Sequence, residues 1–287
     1  MELGDRIVDG YQKNLEKAHQ INQIILKRFK EVCEKYNITY YLDSGSLLGA
    51  VRHQGFIPWD DDVDIALKRA DYEKLLQIPK EEWGEGWEFI TYRELGQEKS
   101  FVDFITRLIY LKETVPNRIF AKMDKKEKYE NHLVLDLLVL DNAYDSNLKQ
   151  RILLGKIIVL YGMAMGHRSR LEFAEYKGFT KIIVFLLSRI GRLFSLKWIY
   201  DQYEKVCSSV PEKNERLFIA NYSIPYIGKL FEKEWYEGTR PLFIEGEAFS
   251  APKDYHAVLQ SIYGEYMELP PEKSRVPKHL LKDELED

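Results

Sequence analysis

Apolar side chains recur every three or four positions through residues 8–36, at Tyr11, Leu15, Ala18, Ile21, Ile25, Phe29, Val32 and Tyr36. That spacing predicts one long amphipathic helix, ended near Asn37. The pattern then shortens. "ITYYLD" (38–43), β-branched and aromatic, predicts a short strand. "SGSLLGAVRH" (44–53) predicts a helix that Ser44 or Ser46 would cap, with Arg52 in its last turn. Gly55 and Pro58 make "GFIPW" a loop. "DVDIAL" (62–67) alternates acidic and apolar residues, a strand with Val63 and Ile65 on the buried face. A helix over "RADYEKLLQI" (69–78) follows, then a strand pair over "WEFITY" (87–92) and "FVDFITRLIYL" (101–111). "NHLVLDLLVLD" (131–141) reads as a buried strand with Asp136 in its middle.

From about residue 146 the pattern is helical. It returns after 240 to short strands ("PLFIEG", "EAFSAP"), a helix from Lys253 to Tyr263 and a Pro-rich, charged end. There is no internal repeat and no low-complexity tract. The chain therefore divides into 1–145, a helical lobe over 146–215, and a segment over 216–287 that packs back on the first.

Composition changes this picture in three places. At 287 residues with 45% hydrophobic and 13% aromatic content, the chain has ample material for a core. Its net charge of −4 is too mild for a general nucleic-acid binder, so no nucleic-acid partner is expected. The charge is uneven, however. Residues 151–200 hold nine Lys or Arg against Glu172 and Glu175, a local +7 that leaves the rest of the chain at −11. This is either the solvated face of an ordinary lobe or a surface for peripheral docking on an anionic membrane. Cys33 and Cys207 both fall in apolar helical patterns, which suits packed, reduced thiols. The start, "MELGDRIVDG", lacks the pattern of a secretory signal, and no window has the run of about 18 apolar residues a spanning helix needs. A cytoplasmic location is expected.

The candidate chemistry lies in "DSGSLLGAVRHQGFIPWDDDVDI", residues 43–65. Residues two apart on a strand share a face, so Asp62 and Asp64 present paired carboxylates while Val63 and Ile65 turn inward. Asp136, on a second apolar strand, is costly to bury unless it is paired or metal-bound. Hard divalent cations prefer such oxygens, and Mg²⁺ combines one or two carboxylates with substrate phosphates. A Gly45-Ser46 turn at a helix mouth suits a phosphate. Together these point to metal-assisted transfer of a phosphoryl-type group to a hydroxyl. Asp60 and Asp61 fit a solvated acidic turn equally well.

The same string, "YLDSGSLLGAVRHQGFIPWDDDVDI", closely resembles the signature of the LicD family, enzymes that decorate bacterial surface glycans with phosphocholine. Fukutin-type proteins share a similar block. "LVLDLLVLD" (133–141) resembles the family's second acidic strand, and "APKDYHAVLQSIYGEYMELPPEKSRVPKH" (251–279) its C-terminal block, so the likeness spans roughly 20–280 and is weakest across 145–215. The resemblance implies an α/β (α+β) nucleotidyltransferase-like core with a mixed sheet, a long N-terminal helix and an appended helical lobe. It implies transfer of phosphocholine from CDP-choline to a sugar hydroxyl of a glycan precursor of teichoic acid or lipopolysaccharide type, with release of CMP and with Mg²⁺ or Mn²⁺ as cofactor. Asp62, Asp64 and Asp136 would be catalytic and metal-binding, with Asp136 taking the proton of the attacking hydroxyl. Gly45 and Ser46 would contact the diphosphate, Arg52 would offset its charge, and Lys68 would keep positive charge near the site.

A quaternary ammonium is held by aromatic faces, and Trp59, Tyr222, Tyr226 and Trp235 are candidates. Trp59 leads them because Pro58 fixes it beside the acids. His53 could contact phosphate or close a helix end, and Arg275 and His279 of the terminal block could fold back over the site. A lipid-linked acceptor would place the enzyme at the inner face of the cell membrane. Three other readings stay open. The transferred group could be ribitol phosphate or phosphoethanolamine. "DVD" also fits the Asp-x-Asp pattern of glycosyltransferases that grip sugar nucleotides. A nucleotide-binding pseudoenzyme would use the basic lobe as an interaction surface.

Overall fold

The computed structural model describes residues 10–95, 100–120, 128–168, 171, 173, 176–221 and 226–283. Among these lie eight α-helices: α1 Gln12–Lys35, α2 Ser44–Arg52, α3 Arg69–Leu75, α4 Tyr92–Leu95, α5 Asn147–Ala164, α6 Gly178–Gly191, α7 Leu196–Cys207 and α8 Tyr255–Tyr263. The nine strands are β1 Tyr41–Leu42, β2 Val63–Lys68, β3 Trp87–Ile90, β4 Thr106–Tyr110, β5 Val134–Ala143, β6 Arg216–Ile219, β7 Leu230–Glu232, β8 Thr239–Ile244 and β9 Glu247–Pro252.

The long strand β5 organises the sheet. Its aliphatic residues are buried on both faces, the pattern of a central strand. On one edge it pairs in parallel with β2, from Val63 opposite Leu135 to Lys68 opposite Leu140. On the other edge its first half takes β4 and its second half β6, both antiparallel. β1, β3 and β7 extend the mixed sheet outward, while β8 and β9 form a separate hairpin against β1. The expected mixed α/β architecture is therefore present. α1 lays Leu15, Ala18, Ile21, Ile25, Phe29 and Val32 on the sheet, all at most 3% exposed. At roughly 2 kcal/mol for each large side chain removed from water, that stripe is enough to hold the helix in place.

Several predicted boundaries shift. The strand expected over 38–43 is only Tyr41–Leu42, because the Ile38 amide still donates to Cys33 O at the end of α1. The strands expected over 87–92 and 101–111 contract to 87–90 and 106–110. α8 starts at Tyr255, where Asp254 accepts from the Ala257 amide as its cap. Neither Ser44 nor Ser46 caps α2. Asp43 holds that position, and Ser44 adopts a left-handed φ of 48°. Cys33 and Cys207 are both buried and unbridged, as expected.

The helices of residues 146–215 share one apolar core with the sheet side. Ile157, Leu160, Tyr200 and Tyr203 pack with Tyr92, Phe101, Phe104 and Phe218. The Phe101 amide donates to His167 O at 3.1 Å, which joins the lobe to the approach of β4.

Candidate active site

The parallel register of β2 and β5 sets Asp64 directly opposite Asp136. Asp62 sits one residue before β2. The Asp62 and Asp136 side chains are 25% and 27% exposed, open enough to reach a ligand. Their neighbours Val63 and Leu135 are at most 1% exposed and anchor the strands. A third element completes the cluster. The Ser46 hydroxyl accepts from the Asp64 amide at 3.0 Å, and the Asp43 amide donates to Asp64 O, which fastens the start of α2 to β2. A Cβ built on Gly45 would overlap Asp60 Oδ2, so only glycine lets that carboxylate approach the first turn of α2.

Five aspartates, Asp43, Asp60, Asp62, Asp64 and Asp136, thus crowd one place, and their ionisation responds. Burial, then the charges of Asp62, Asp136, Asp43 and Asp60, push Asp64 well above the ordinary carboxyl value. Burial and Asp62 raise Asp60 in the same way. Burial also raises Asp136, against the pull of Arg107. Asp62 goes the other way. Burial would raise it, but the His279 hydrogen bond and the charge of Lys278 outweigh that and hold it low. A cluster of carboxylate oxygens that takes up protons to relieve its own repulsion is the donor set a hard divalent cation would fit.

The cations that answer this charge come from two directions. Arg107, on β4, donates Nε to Asp136 Oδ1 at 2.9 Å and both terminal nitrogens to Asp103 at 2.9 and 2.8 Å. Among the described residues no hydrogen bond is made to Asp136 Oδ2. The second source is the segment after α8. His279 Nε2 lies 3.3 Å from Asp62 Oδ2, and the carboxylates raise the His279 and Lys278 pKa values against the effect of burial. Asp61 holds this strap: its Oδ2 accepts the amides of His279 at 2.8 Å and Leu280 at 2.7 Å. Asp61, Asp62 and His279 offer ligand atoms within 4.8 Å of one another. Because Asp61 Oδ2 already accepts two amides, that trio is first of all the fastening of the strap.

Between the strap and α2 opens a cleft of about 790 Å³, ample for a nucleotide. Gly45, Asp60 and Lys278 line it toward the acids, with Arg52 and Trp59 on one wall and Tyr263, Glu265, Tyr266 and Glu268 among the other lining residues.

This geometry can be set beside known proteins. Residues 37–138, which hold α2, β2 and the first half of β5, match the LicD/FKTN/FKRP nucleotidyltransferase domain. They form a LicD-family domain. Over 276 aligned residues, 89% of this chain and 92% of the relative, the chain is 27% identical to the lipopolysaccharide cholinephosphotransferase LicD of Haemophilus influenzae. It is 43% identical over 53 residues to human FKRP, a ribitol 5-phosphate transferase, though this covers 18% of the chain and 11% of FKRP. An uncharacterized protein of Rickettsia prowazekii is 46% identical over 76 residues, 26% of the chain and 28% of that protein.

Within the LicD-family domain, the structure brings Asp62, Asp64, Asp136, Gly45 and Ser46 together, with Arg52 and Trp59 at the cleft. It does not bring Lys68, which stands four residues beyond Asp64, about 13 Å along β2. There the charges of Glu237, Lys233 and Asp71 surround it, not the acids. Arg52 donates Nη1 to Tyr266 O and Glu268 O, so it braces the cleft wall. Trp59 has the guanidinium groups of Arg52 and Arg275 over its ring at 6.0 and 5.5 Å, and the His53 ring edge-on at 6.1 Å. Trp235 packs against the main core, Tyr226 is 43% exposed, and Tyr222 lies outside the described residues. Arg275 and His279 do fold back.

Sequence reasoning missed Asp43, Arg107 with Asp103, Tyr263 and Lys278. Asp43 and Lys278 stood inside the quoted strings. Arg107 carried no local signal, because its pairing with Asp136 exists only through the β4–β5 register, which sets the two residues opposite each other.

Proposed function

We propose that this chain transfers phosphocholine from CDP-choline to a sugar hydroxyl of a cell-surface glycan precursor, of teichoic acid or lipopolysaccharide type, and releases CMP. The observation that carries the proposal is the surplus of carboxylates at Asp62, Asp64 and Asp136 beside a nucleotide-sized cleft, in a chain similar along most of its length to a lipopolysaccharide cholinephosphotransferase. In this reading residues 1–145 form the catalytic core with its N-terminal helix, 146–215 a basic helical lobe, and 216–287 the segment that closes the cleft.

Asp62, Asp64 and Asp136 would hold Mg²⁺ or Mn²⁺. When bound, the cation supplies positive charge to the diphosphate and to the departing CMP. The chain's own groups do the rest. The acceptor oxygen forms a bond to the phosphorus that carries choline, the bond from that phosphorus to the bridging oxygen breaks, and CMP leaves. Asp136 Oδ2 takes the hydroxyl proton, while Arg107 fixes Oδ1 and hence the direction of the carboxylate. Gly45 offers its backbone to the diphosphate at the first turn of α2, Ser46 and Arg52 steady it, and Lys278 closes over it. The two guanidinium groups at Trp59 would repel a quaternary ammonium. We therefore place the choline end toward Tyr263, Tyr266, Glu265 and Glu268, where aromatic faces meet negative charge. The acceptor, if lipid-linked, puts the enzyme at the inner face of the cell membrane.

Similarity to FKRP favours one second reading, in which ribitol phosphate is the transferred group. The test is nucleotide release by the purified chain with Mg²⁺ and a glycan acceptor: CMP from CDP-choline, CDP-ribitol or CDP-ethanolamine, and UDP from UDP-sugars, each offered in parallel. Turnover of CDP-choline alone supports the proposal, and turnover of CDP-ribitol alone moves it to the second reading. No turnover of any CDP-alcohol overturns both.

A further inference from the structure

α6 is turned inside out relative to an ordinary surface helix. The residues it buries are small, Val184, Ser188 and Gly191, one narrow stripe spaced four and three apart. That stripe meets α5 and the turn after it at backbone distance. A Cβ on Gly166 would overlap Ser188 O, and one on Gly191 would overlap Met163 O. Leu187 packs onto Gly162 of α5, but most of the large residues face outward. Phe179 is 74% exposed, and Ile182, Phe185, Leu186 and Ile190 lie between 44% and 54%. The following turn adds Leu193 at 81% and Phe194, which stacks on Trp198 in the first turn of α7 with the rings 4.6 Å apart. Apolar surface this contiguous on a folded chain marks a contact site.

Charge selects the occupant. From Tyr176 to Tyr200 the charged residues are Lys177, Lys181, Arg189, Arg192 and Lys197, with no Asp or Glu. Lys197 pairs with Asp201 just beyond the segment, and a second copy docked face to face would set the other four cations against their own images, with no acid in the segment to answer them. An anionic phospholipid surface answers them directly, and it accepts the apolar side chains between them. No helix among the described residues is long and apolar enough to cross a bilayer, so the helix lies in the interface and does not span it. We infer that α6 and the turn through Trp198 form an in-plane docking element for an anionic bilayer. The inference holds whichever phospho-alcohol the active site transfers.

The test is flotation of the full chain with vesicles of phosphatidylcholine alone or mixed with phosphatidylglycerol, at about 0.15 M salt, where surface charges are only partly screened. Binding to the anionic vesicles and not to the neutral ones is expected. Leu186→Glu with Leu193→Glu should lower the bound fraction at least tenfold, and Lys181→Glu with Arg189→Glu should also lower it and steepen its loss with salt. All four side chains are exposed, so melting temperature and CMP release with a soluble acceptor should match the parent chain. Brominated lipid should quench fluorescence in the parent chain and less so in Trp198→Phe, a readout that needs no charge variant to fold. Three results would overturn the inference: no flotation with anionic vesicles, binding unchanged in the Leu186/Leu193 variant, or a solution dimer that Leu193→Glu splits.

Discussion

The paired strands β2 and β5 carry a buried acid cluster at each end, and the two are built on opposite principles. Just past the C-terminal end of β2, Arg69 grips Asp141 with two hydrogen bonds of 2.7 and 2.8 Å and Glu204 with a third of 2.8 Å. Glu204 also accepts from the Tyr92 hydroxyl at 2.5 Å. Each charge there has its partner within the fold, and the cluster ties β5 to the helical lobe through α7. At the N-terminal end, five aspartates face Arg107, Lys278 and His279, and Arg107 is shared with Asp103. Both ends thus carry more acid than base, but both carboxylates of the Arg69 cluster are bonded to one guanidinium, whereas at the other end five aspartates share three basic groups. In the proposed reading, that difference separates a cluster that serves the fold from one that serves a ligand. Burial alone does not make that distinction, since the Glu204 side chain is as exposed, at 29%, as those of Asp62 and Asp136.

Removing one acid at each end should therefore give opposite signatures. Asp64→Asn is expected to lower CMP release about a thousandfold, equivalent to roughly 4 kcal/mol of transition-state stabilisation. It should leave the metal-free melting temperature unchanged or raised, because a repelling charge has gone. Asp141→Ala should do the reverse. It leaves the Arg69 guanidinium with Glu204 alone and should cost about 3 kcal/mol in denaturant unfolding, with turnover per folded molecule close to that of the parent. Arg107→Lys lies between them. Lysine cannot hold Asp103 and Asp136 at once, so we expect a ten- to hundredfold fall in kcat with little change in KM. Equal effects of all three on stability alone would erase the contrast between the two ends.

The smallest expected effect is on pH dependence. Asp60 and Asp64 titrate above the ordinary carboxyl value in the fold, first through burial and then through each other's neighbours. An acid whose native pKa exceeds its unfolded one stabilises the fold while protonated, and that contribution fades as pH rises through the native value. Without metal, the melting temperature should drop by a few degrees over that interval. Mg²⁺ competes with those protons, so its stabilising increment should grow in the same direction. A Mg²⁺ increment independent of pH would separate the metal from these carboxylates.

Much of this was legible in the sequence where one local pattern decided the outcome. The spacing of Leu15 to Val32 gave α1, and alternation around Asp62 to Ile65 gave β2 with its faces assigned. Asp136 stood out as an acid within an aliphatic strand. Local pattern failed where the deciding contact was distant. Ser46 looked like a helix cap and instead bonds the Asp64 amide. Asp61 looked like solvated loop and is 1% exposed beneath a strap that begins after α8. Lys68 was close in sequence to the acids, but an extended strand carries it away from them.

The fastening at Asp61 has a kinetic consequence. The carboxylate and the two amides it receives are separated by 218 and 219 residues, so closing that contact orders a very long loop. Among the described residues the strap also meets the chain through the Arg118 amide to His279 O, the Leu281 amide to Pro116 O, the Asn14 side chain to Leu281 O, the Asp283 amide to Gly10 O, and the amides of Lys13 and Asn14 to the Asp283 carboxylate. None of these belongs to the β2–β5 ladder. The amides of His279, Leu280 and Leu281 should therefore exchange with solvent as one block, well ahead of Ile65 and Leu137, in openings that leave the sheet folded. Each such opening lifts Lys278 and His279 off the carboxylates and widens the cleft, so in the proposed reading exchange of the nucleotide is expected to quicken in variants that loosen the Asp61 fastening.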